Sequence, residues 1–253
     1  MNPSFSNQYL REISLKDEKI TSYDEYPFSL PVIKNLKKIK FHPSVTFIIG
    51  ENGTGKSTLL EAIAVAMGFN PEGGTKNFDF KTNDTHSNLY EYIRLTKGIK
   101  HPKDGFFLRA ESFYNVASNI DKLDEEPSFG PPIKSSYGGK SLHHQSHGES
   151  FFSLMMHRFG GNGIYILDEP EAALSPTRQM SLIARMHELV NNNSQFIIAT
   201  HSPIIMAYPK SNILSINEEF IEAIKYTDTE HFIVTKNFLN KPDKLMKELL
   251  QEE

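Results

Sequence analysis

The sequence predicts an α/β protein with a mostly parallel β-sheet that helices cover on both faces. Three stretches, at 45–50, 163–170 and 195–203, begin with a nearly continuous apolar run and end in glycine or polar residues. Segments with helical spacing of apolar residues follow or precede them, at 57–69, 149–161 and 175–193. Strands that are apolar throughout are buried on both faces, and their alternation with helices is typical of parallel sheets.

Composition limits the classes of protein that this chain can represent. The 253 residues, of which 38% are hydrophobic and 23% charged, are enough for one large domain. The absence of cysteine excludes disulfides, thiolate metal sites and cysteine nucleophiles. The amino-terminal residues lack the pattern of a secretory signal, and the longest apolar run, near 196–209, contains His201 and Pro203. We therefore expect a cytoplasmic protein with no membrane segment of its own.

The remaining segments predict how the domain is elaborated. Residues 70–88 are rich in turn formers, and residues 118–145 are rich in Pro, Gly and Ser. Two β-like stretches, 89–95 and 105–113, flank a charged turn, and residues 212–226 suggest a fourth strand with edge structure. We expect a single domain over 1–253, with an antiparallel β edge, a small inserted lobe and variable insertions at about 70–104 and 118–145.

One local basic run, at 34–42, stands out against a net charge of −4. Its lysines alternate with Leu36, Ile39 and Phe41, which favours the solvated face of a strand. The less favoured alternative is a site that binds an anionic partner such as nucleic acid.

The most specific signal is the stretch GENGTGKST at 50–58, which fits the phosphate-binding pattern G-x-x-x-x-G-K-[ST]. A predicted strand precedes it and a predicted helix follows, as the pattern requires. Glycines allow backbone N–H groups to close around phosphate oxygens, and the helix presents its positive end to the same anion. Lys56 is expected to contact the β- and γ-phosphates and Ser57 to ligate Mg²⁺. The predicted nucleotide-binding residues of this P-loop are Gly50, Glu51, Asn52, Gly53, Thr54, Gly55, Lys56, Ser57 and Thr58.

Polar residues follow the next two strands where ligands collect in an open α/β sheet. Asp168 is a candidate Mg²⁺ ligand, and Glu169 a candidate acceptor for a proton of the attacking water. His201, at the end of the following strand, is a candidate hydrogen-bond donor to a γ-phosphate. Alone, the acidic pair would indicate a solvated turn and the histidine a structural residue. The P-loop reverses the first preference, and the placement of His201 beside the other two strand ends reverses the second.

With these motifs the chain resembles the ATP-binding cassette (ABC) ATPases, most closely their soluble, non-transporter branch. Stand-alone bacterial proteins of this kind are described as AAA-family ATPases. The stretches 50–58 and 164–170 match the family's Walker A and Walker B motifs, and His201 matches its switch histidine. Residues 171–176 match its D-loop, where Ser175 replaces the aspartate usual in transporter cassettes.

The resemblance also implies a site shared between two copies of the chain. The family's signature motif closes on ATP held by a second subunit, and QSHGES at 145–150 falls at its position. Ser146 and Gly148 match this motif, whereas His147 and Glu149 depart from it. We expect Ser146, Gly148 and Glu149 to contact nucleotide in an ATP-dependent homodimer. Taken alone, His143, His144 and His147 would suggest a metal site; at this position they are better interpreted as the signature and the loop before it.

A family glutamine that senses Mg²⁺ has no counterpart after a suitable strand here. Glu111 is the candidate for this metal-binding position and Arg109 its neighbour, with a charged strand end on the surface as the alternative.

The resemblance predicts Mg²⁺-dependent ATP hydrolysis in which Lys56, Glu169 and His201 are catalytic. Closure and hydrolysis would switch an unidentified protein effector or nucleic acid in DNA repair, defence or regulation. Two alternatives remain open: an ATP-binding subunit of an ABC transporter, and, from the P-loop alone, a small-molecule kinase. The paired motifs at 168–170 and 200–202 argue against the kinase.

Overall fold

The computed structural model describes residues 8–76, 87–109, 117–118, 120–121, 124, 135 and 147–251. Its strands are β1 (Leu10–Leu15), β2 (Lys38–Lys40), β3 (Val45–Gly50), β4 (Ile93–Lys97), β5 (Asp104–Arg109), β6 (Gly163–Asp168), β7 (Gln195–Ala199), β8 (Ser211–Ile216) and β9 (Ile221–Ile224). Its α-helices are α1 (Pro31–Lys34), α2 (Lys56–Met67), α3 (His147–His157), α4 (Pro176–Asn191), α5 (Pro203–Met206), α6 (Glu230–Asn240) and α7 (Pro242–Leu250).

The central sheet has the strand order β5-β6-β7-β3-β8-β9. Neighbouring strands from β5 to β8 are parallel, and β9 pairs antiparallel with β8 at the edge. Because β3, β6 and β7 are apolar along their length, they can occupy the middle of a sheet buried on both faces. The predicted α/β class and its antiparallel edge are confirmed.

Alternate side chains of each central strand enter different hydrophobic layers. Val45, Phe47 and Ile49 pack in the layer that contains buried residues of α3, α4 and α5. Ile48 points into the other layer, which contains the apolar residues of α2 and of the antiparallel strands. This alternation follows from the period-two geometry of a strand. Helices therefore cover both faces, and a second, smaller sheet extends one of the layers.

The second sheet has the order β2-β1-β4, with both pairs antiparallel. Strand β4 lies within the segment 70–104, which we expect to be a variable insertion, so this part of the segment completes the smaller sheet. Strands β4 and β5 do not pair with each other across the charged turn; β4 pairs with β1, and β5 with β6.

Gln195 joins the two sheets through its side-chain amide, which is completely buried. Its Oε1 accepts from the backbone N–H groups of Leu10 (2.9 Å) and Tyr9 (3.1 Å). Its Nε2 donates to the carbonyl oxygens of Leu10 (2.8 Å) and His42 (3.1 Å). The four hydrogen bonds use the full capacity of a primary amide, so the buried polar group is satisfied.

The basic run at 34–42 forms the end of α1 and strand β2. Leu36, Ile39 and Phe41 are buried, whereas Lys38 and Lys40 are exposed. Lys38 also pairs with Glu12 on β1, with 2.8 Å between Nζ and Oε2. These contacts agree with the interpretation of the run as the solvated face of a strand.

Two helical features differ from expectation. Helix α3 begins at His147, two residues earlier than the pattern indicated, so Gly148 lies in its first turn. Helix α6 was not predicted, although Thr229 is a favourable N-cap residue and caps it by accepting from the N–H of Phe232. Within the described parts of the chain, the helices are too short or too polar to cross a membrane.

Candidate nucleotide site

The P-loop joins the end of β3 to the start of α2, and its backbone requires glycine at particular positions. Gly53 and Gly55 have φ angles of +83° and +94°, in the region that favours glycine. At Gly50, an added Cβ would lie 2.4 Å from the carbonyl oxygen of Ile216 on the adjacent strand. The loop therefore passes close to its neighbours and leads directly into the positive end of a twelve-residue helix.

Lys56 reaches back across this loop. Its Nζ donates to the carbonyl oxygens of Gly50 and Glu51, both at 2.8 Å, and only 5% of the residue is exposed. Burial lowers the pKa of Lys56, while Glu169, Asp168 and Glu171 act in the opposite direction. The cation is thus held within the loop by two neutral acceptors, which phosphate oxygens can replace.

Ser57 and Asp168 bring the P-loop and β6 together. The Ser57 Oγ donates to Asp168 Oδ1 over 3.2 Å, and Asp168 is buried at the end of its strand. Mg²⁺ prefers octahedral oxygen ligands at about 2.1 Å, which places adjacent ligands about 3 Å apart. A hydroxyl and a carboxylate at this separation fit two neighbouring positions of such a shell.

Glu169 and His201 come from the ends of β6 and β7. Glu169 adopts φ +50° and ψ +54°, an uncommon left-handed conformation for a non-glycine residue, and its N–H donates to the carbonyl oxygen of Ala199. Its Oε1 lies 3.7 Å from Nε2 of His201. Burial lowers the pKa of His201, Lys56 lowers it further, and Glu169 raises it.

Glu171 is a third carboxylate at the site. Its Oε1 accepts a hydrogen bond from the backbone N–H of His201. Burial raises the pKa of Glu171, against the lowering effect of this hydrogen bond. The D-loop match includes Glu171 without implying a role for it, and in the structure its carboxylate holds the backbone at His201.

A cavity of about 1200 Å³ lies over these groups. The P-loop residues 50–54, Glu169 and His201 line one side of it. The other side is formed by the ends of β8 and β9 and by the first turns of α6, including His231. The cavity is therefore bounded by the predicted phosphate site and by a carboxyl-terminal helix that the sequence did not assign to the site.

The signature region is described only in part. Ser146, His143 and His144 lie outside the described residues. Gly148 packs against the segment that follows β6, because an added Cβ would lie 2.4 Å from the carbonyl oxygen of Ala173. Glu149 is exposed, and its Oε1 lies 3.8 Å from Nη2 of Arg178 on α4.

Glu111, the candidate for the glutamine position, also lies outside the described residues. Arg109 ends β5 and forms an ion pair with Glu61 on α2, with 2.7 Å between Nη1 and Oε2. Glu61 is buried, so this pairing ties the strand to the helix that begins at the P-loop.

The structure thus brings together Gly50–Thr54 of the loop, Lys56, Ser57, Asp168, Glu169 and His201 at one edge of the sheet. Parallel strands place their carboxyl ends at the same edge, which explains why residues from 50 to 201 meet. The fold and this site together define a P-loop nucleotide-binding protein.

Comparison with known proteins identifies the family. Residues 19–252 match the family described as AAA domain. The chain belongs to this family, and it is an ATP-binding ATPase of the ABC type.

Individual relatives are distant. The chain is 20% identical over 214 residues to the cell division ATP-binding protein FtsE of Bacillus subtilis, an alignment that covers 79% of this chain and 91% of that protein. It is 23% identical over 172 residues to the ABC transporter G family member STR2 of Medicago truncatula. That match covers 63% of this chain and only 24% of the plant protein. Among solved structures, cbiO1 of Clostridium perfringens, part of the ABC transporter complex cbiONQ, has 17% identity and a TM-score of 0.49, over 96% of this chain and 99% of that one.

Proposed function

We propose that the protein hydrolyses Mg²⁺-ATP to ADP and phosphate, and that two copies close around two ATP molecules to switch a further partner. The observation that carries the proposal is the convergence of the P-loop with Asp168, Glu169 and His201, joined by the Ser57–Asp168 hydrogen bond. The proposed switch acts in DNA repair, defence or regulation. Such a role would place the chain in the soluble, non-transporter branch of the ABC ATPases.

Each side chain has a distinct task in the proposed reaction. Lys56 and the loop N–H groups bind the β- and γ-phosphates, and Ser57 and Asp168 hold the metal ion. The bound Mg²⁺ would neutralise phosphate charge. A water oxygen attacks the γ-phosphorus, one of its protons passes to the Glu169 carboxylate, and the bond to the β–γ bridging oxygen breaks to release ADP.

His201 would donate a hydrogen bond from Nε2 to the γ-phosphate. This atom is buried and has no hydrogen-bond partner among the described residues, so it has capacity for a ligand acceptor. The position beside Glu169 places the donor and the proposed base on the same side of the site.

The proposal assigns half of each site to a second subunit. Ser146, Gly148 and Glu149 would close on the ATP bound by the other copy, and the amino-terminal end of α3 would direct its positive end at the phosphates. The specific ATPase rate should therefore rise with protein concentration. A rate per molecule that stays constant at every concentration would contradict the shared site.

A mixing experiment tests the shared site without a series of protein concentrations. Lys56→Ala removes the phosphate cation from one half of a site, and Ser146→Arg obstructs the other half. Each variant should be inactive alone. In a random mixture, half of the dimers pair one variant with the other and contain one intact site, so about a quarter of wild-type activity should return. No recovery with dimers present would contradict sharing.

Glu169→Gln should lower the rate of hydrolysis about 100-fold or more while preserving ATP binding, because the amide cannot accept the proton. The ATP-bound dimer should then accumulate. Light scattering should show twice the 28.8 kDa chain mass in ATP and the chain mass without it. Glu188→Gln, on the exposed side of α4, is the control and should behave as wild type.

An ATP-binding subunit of an ABC transporter is the second candidate. The names of the curated relatives favour it, since several are described as ABC transporter ATP-binding proteins. Purification of the Glu169→Gln protein from membranes distinguishes the candidates. A stoichiometric apolar membrane partner would support the transporter, whereas recovery without one would support the switch.

A further inference from the structure

The two ring nitrogens of His201 face different surroundings. Nε2 is buried, lies 3.7 Å from Glu169 Oε1 and has no hydrogen-bond partner among the described residues. Nδ1 lies 3.0 Å from Nε2 of His231, with 5.1 Å between the ring centroids. His231 of helix α6 thus contacts Nδ1 of His201, whereas the proposed phosphate donor is the other ring nitrogen, Nε2.

Local contacts hold His231 in this position. Thr229, which is fully buried, caps α6: its Oγ1 accepts from Phe232 N at 3.3 Å and donates to Tyr226 O at 2.8 Å. The Tyr226 hydroxyl donates to the carbonyl oxygen of Pro203 at 2.9 Å. Because Pro203 lies two residues after His201, the start of α6 is fastened to the same segment that carries the switch histidine.

Burial of the pair favours two neutral rings. Burial is the main cause that lowers the pKa of each histidine, and the effect of Lys56 on both adds to it. Glu169 acts against this on His201, and Glu230 and Glu171 act against it on His231. A neutral imidazole has one donor and one acceptor nitrogen, so only one of the two facing nitrogens carries the shared proton.

The two ring nitrogens outside the His201–His231 contact, Nε2 of His201 and Nδ1 of His231, indicate which tautomer is more stable. If His201 donated from Nδ1, the buried Nδ1 of His231 would carry a hydrogen without a partner among the described residues, and the bare Nε2 of His201 would face the Glu169 carboxylate. If His231 donates, its Nδ1 keeps only a lone pair, and Nε2–H of His201 faces Glu169. Each arrangement leaves one buried N–H without a hydrogen bond among the described residues, so the Glu169 carboxylate decides between them. The second arrangement is favoured because an N–H of His201 faces this negative charge at 3.7 Å, whereas in the first a lone pair would face it.

We propose that His231 is a positioning residue: its Nε2–H donates to Nδ1 of His201 and so keeps the hydrogen of His201 on Nε2, directed at the γ-phosphate. This inference rests on the proposed ATPase function. It gives helix α6 a part in the nucleotide site, through one hydrogen bond and without contact between His231 and the substrate.

The kinetic test compares His231→Phe with His231→Gln. Phenylalanine removes the donor, whereas the glutamine amide can still donate to Nδ1. At metal sites, loss of an outer partner that orients a histidine lowers metal affinity or activity about 10–100-fold. By analogy, kcat should fall about tenfold or more in His231→Phe, with KM for ATP within about twofold of wild type. His231→Gln should restore most of kcat. The control is His187→Phe, which removes a histidine bonded to Tyr208 away from the site and should leave kcat unchanged.

Two kinetic outcomes would overturn the inference: wild-type kcat in His231→Phe, or an equal loss of kcat in the glutamine and phenylalanine variants. A spectroscopic measurement on the unmodified protein covers the case in which His231→Phe does not fold. Nitrogen-15 NMR of histidine-labelled protein should show the Nε2–H tautomer of His201, and the Nδ1–H tautomer would refute the proposal. Absence of ATPase activity in wild-type protein would instead refute the proposed function, while the tautomer would still report on the His201–His231 contact.

Discussion

The backbone of Glu169 is the clearest local irregularity at the site. A left-handed conformation costs a non-glycine residue on the order of 1 kcal/mol or more, and such residues concentrate where function constrains the chain. Here the hydrogen bond from Glu169 N to Ala199 O holds the residue to the neighbouring strand. The conformation ends β6 abruptly, directly after the buried Asp168, and leaves Glu169 lining the cavity.

The His201–His231 pair should make stability depend on pH. Both folded-state pKa values are lowered, so the unfolded chain takes up protons near pH 6.5 while the folded chain does not. The stabilising contribution is complete above the unfolded pKa and is lost as the pH falls through the folded values. The free energy of unfolding, measured with urea at pH 7.5 and 5.5, should therefore decrease toward the lower pH.

His231→Gln should weaken this dependence, because one of the two titrating groups is absent. Other groups, such as His42 and Asp104, titrate equally in both proteins, so the difference between the two slopes isolates the pair. An identical loss of stability in wild type and variant would show that the pair does not contribute.

At the scale of elements, the start of α3 packs against the 3-10 turn Pro170–Ala173. Gly148 is a poor helix former, so propensity alone places the helix start after it. In the structure Gly148 occupies the first turn, where its lack of a side chain permits contact with Ala173 O. The first turn of α3 and the segment after Asp168 are thereby packed together within one subunit.

Gly148→Ala should lower the free energy of unfolding by about 1–3 kcal/mol, because the new Cβ would overlap the carbonyl oxygen of Ala173. Gly160→Ala is the matched control. There the nearest atom to an added Cβ is Asp104 Oδ2 at 3.6 Å, which is ordinary contact. Equal urea midpoints for the two variants would contradict the close approach at α3.

At the scale of the whole molecule, Gln195 contributes to the alignment of the two sheets. The amide connects β7, which carries His201 at its end, to β1 and to the loop before β3. The site therefore forms on strands whose relative position is supported from the opposite end of the sheet.

Gln195→Leu should lower the free energy of unfolding by about 2–4 kcal/mol, since it leaves several buried backbone donors and acceptors without partners. Urea denaturation measures the change. Asn237→Leu, an exposed amide on α6, should change stability by less than about 0.5 kcal/mol. If Gln195→Leu were as mild as this control, water or local rearrangement would be satisfying the buried groups.

Sequence reasoning succeeded where the determinants are local. The P-loop needs glycines, a lysine and a hydroxyl residue at set spacing, and buried parallel strands need continuous apolar residues, so β3, β6 and β7 were recognisable along with the polar residues that follow them. The edge at which those residues meet also followed from the sequence, because parallel strands align their carboxyl ends.

Tertiary structure decided the features that depend on distant segments. Strand β4 pairs with β1 and not with β5, Gln195 bonds to Leu10 on β1, 185 residues away, and His231 reaches His201 from a helix with no buried residues. Neither hydrophobic period nor residue spacing encodes such contacts, since each depends on how complete layers pack. The chemical groups of the site were therefore evident in the chain, whereas the hydrogen bonds that orient them arise only when the two sheets and helix α6 assemble.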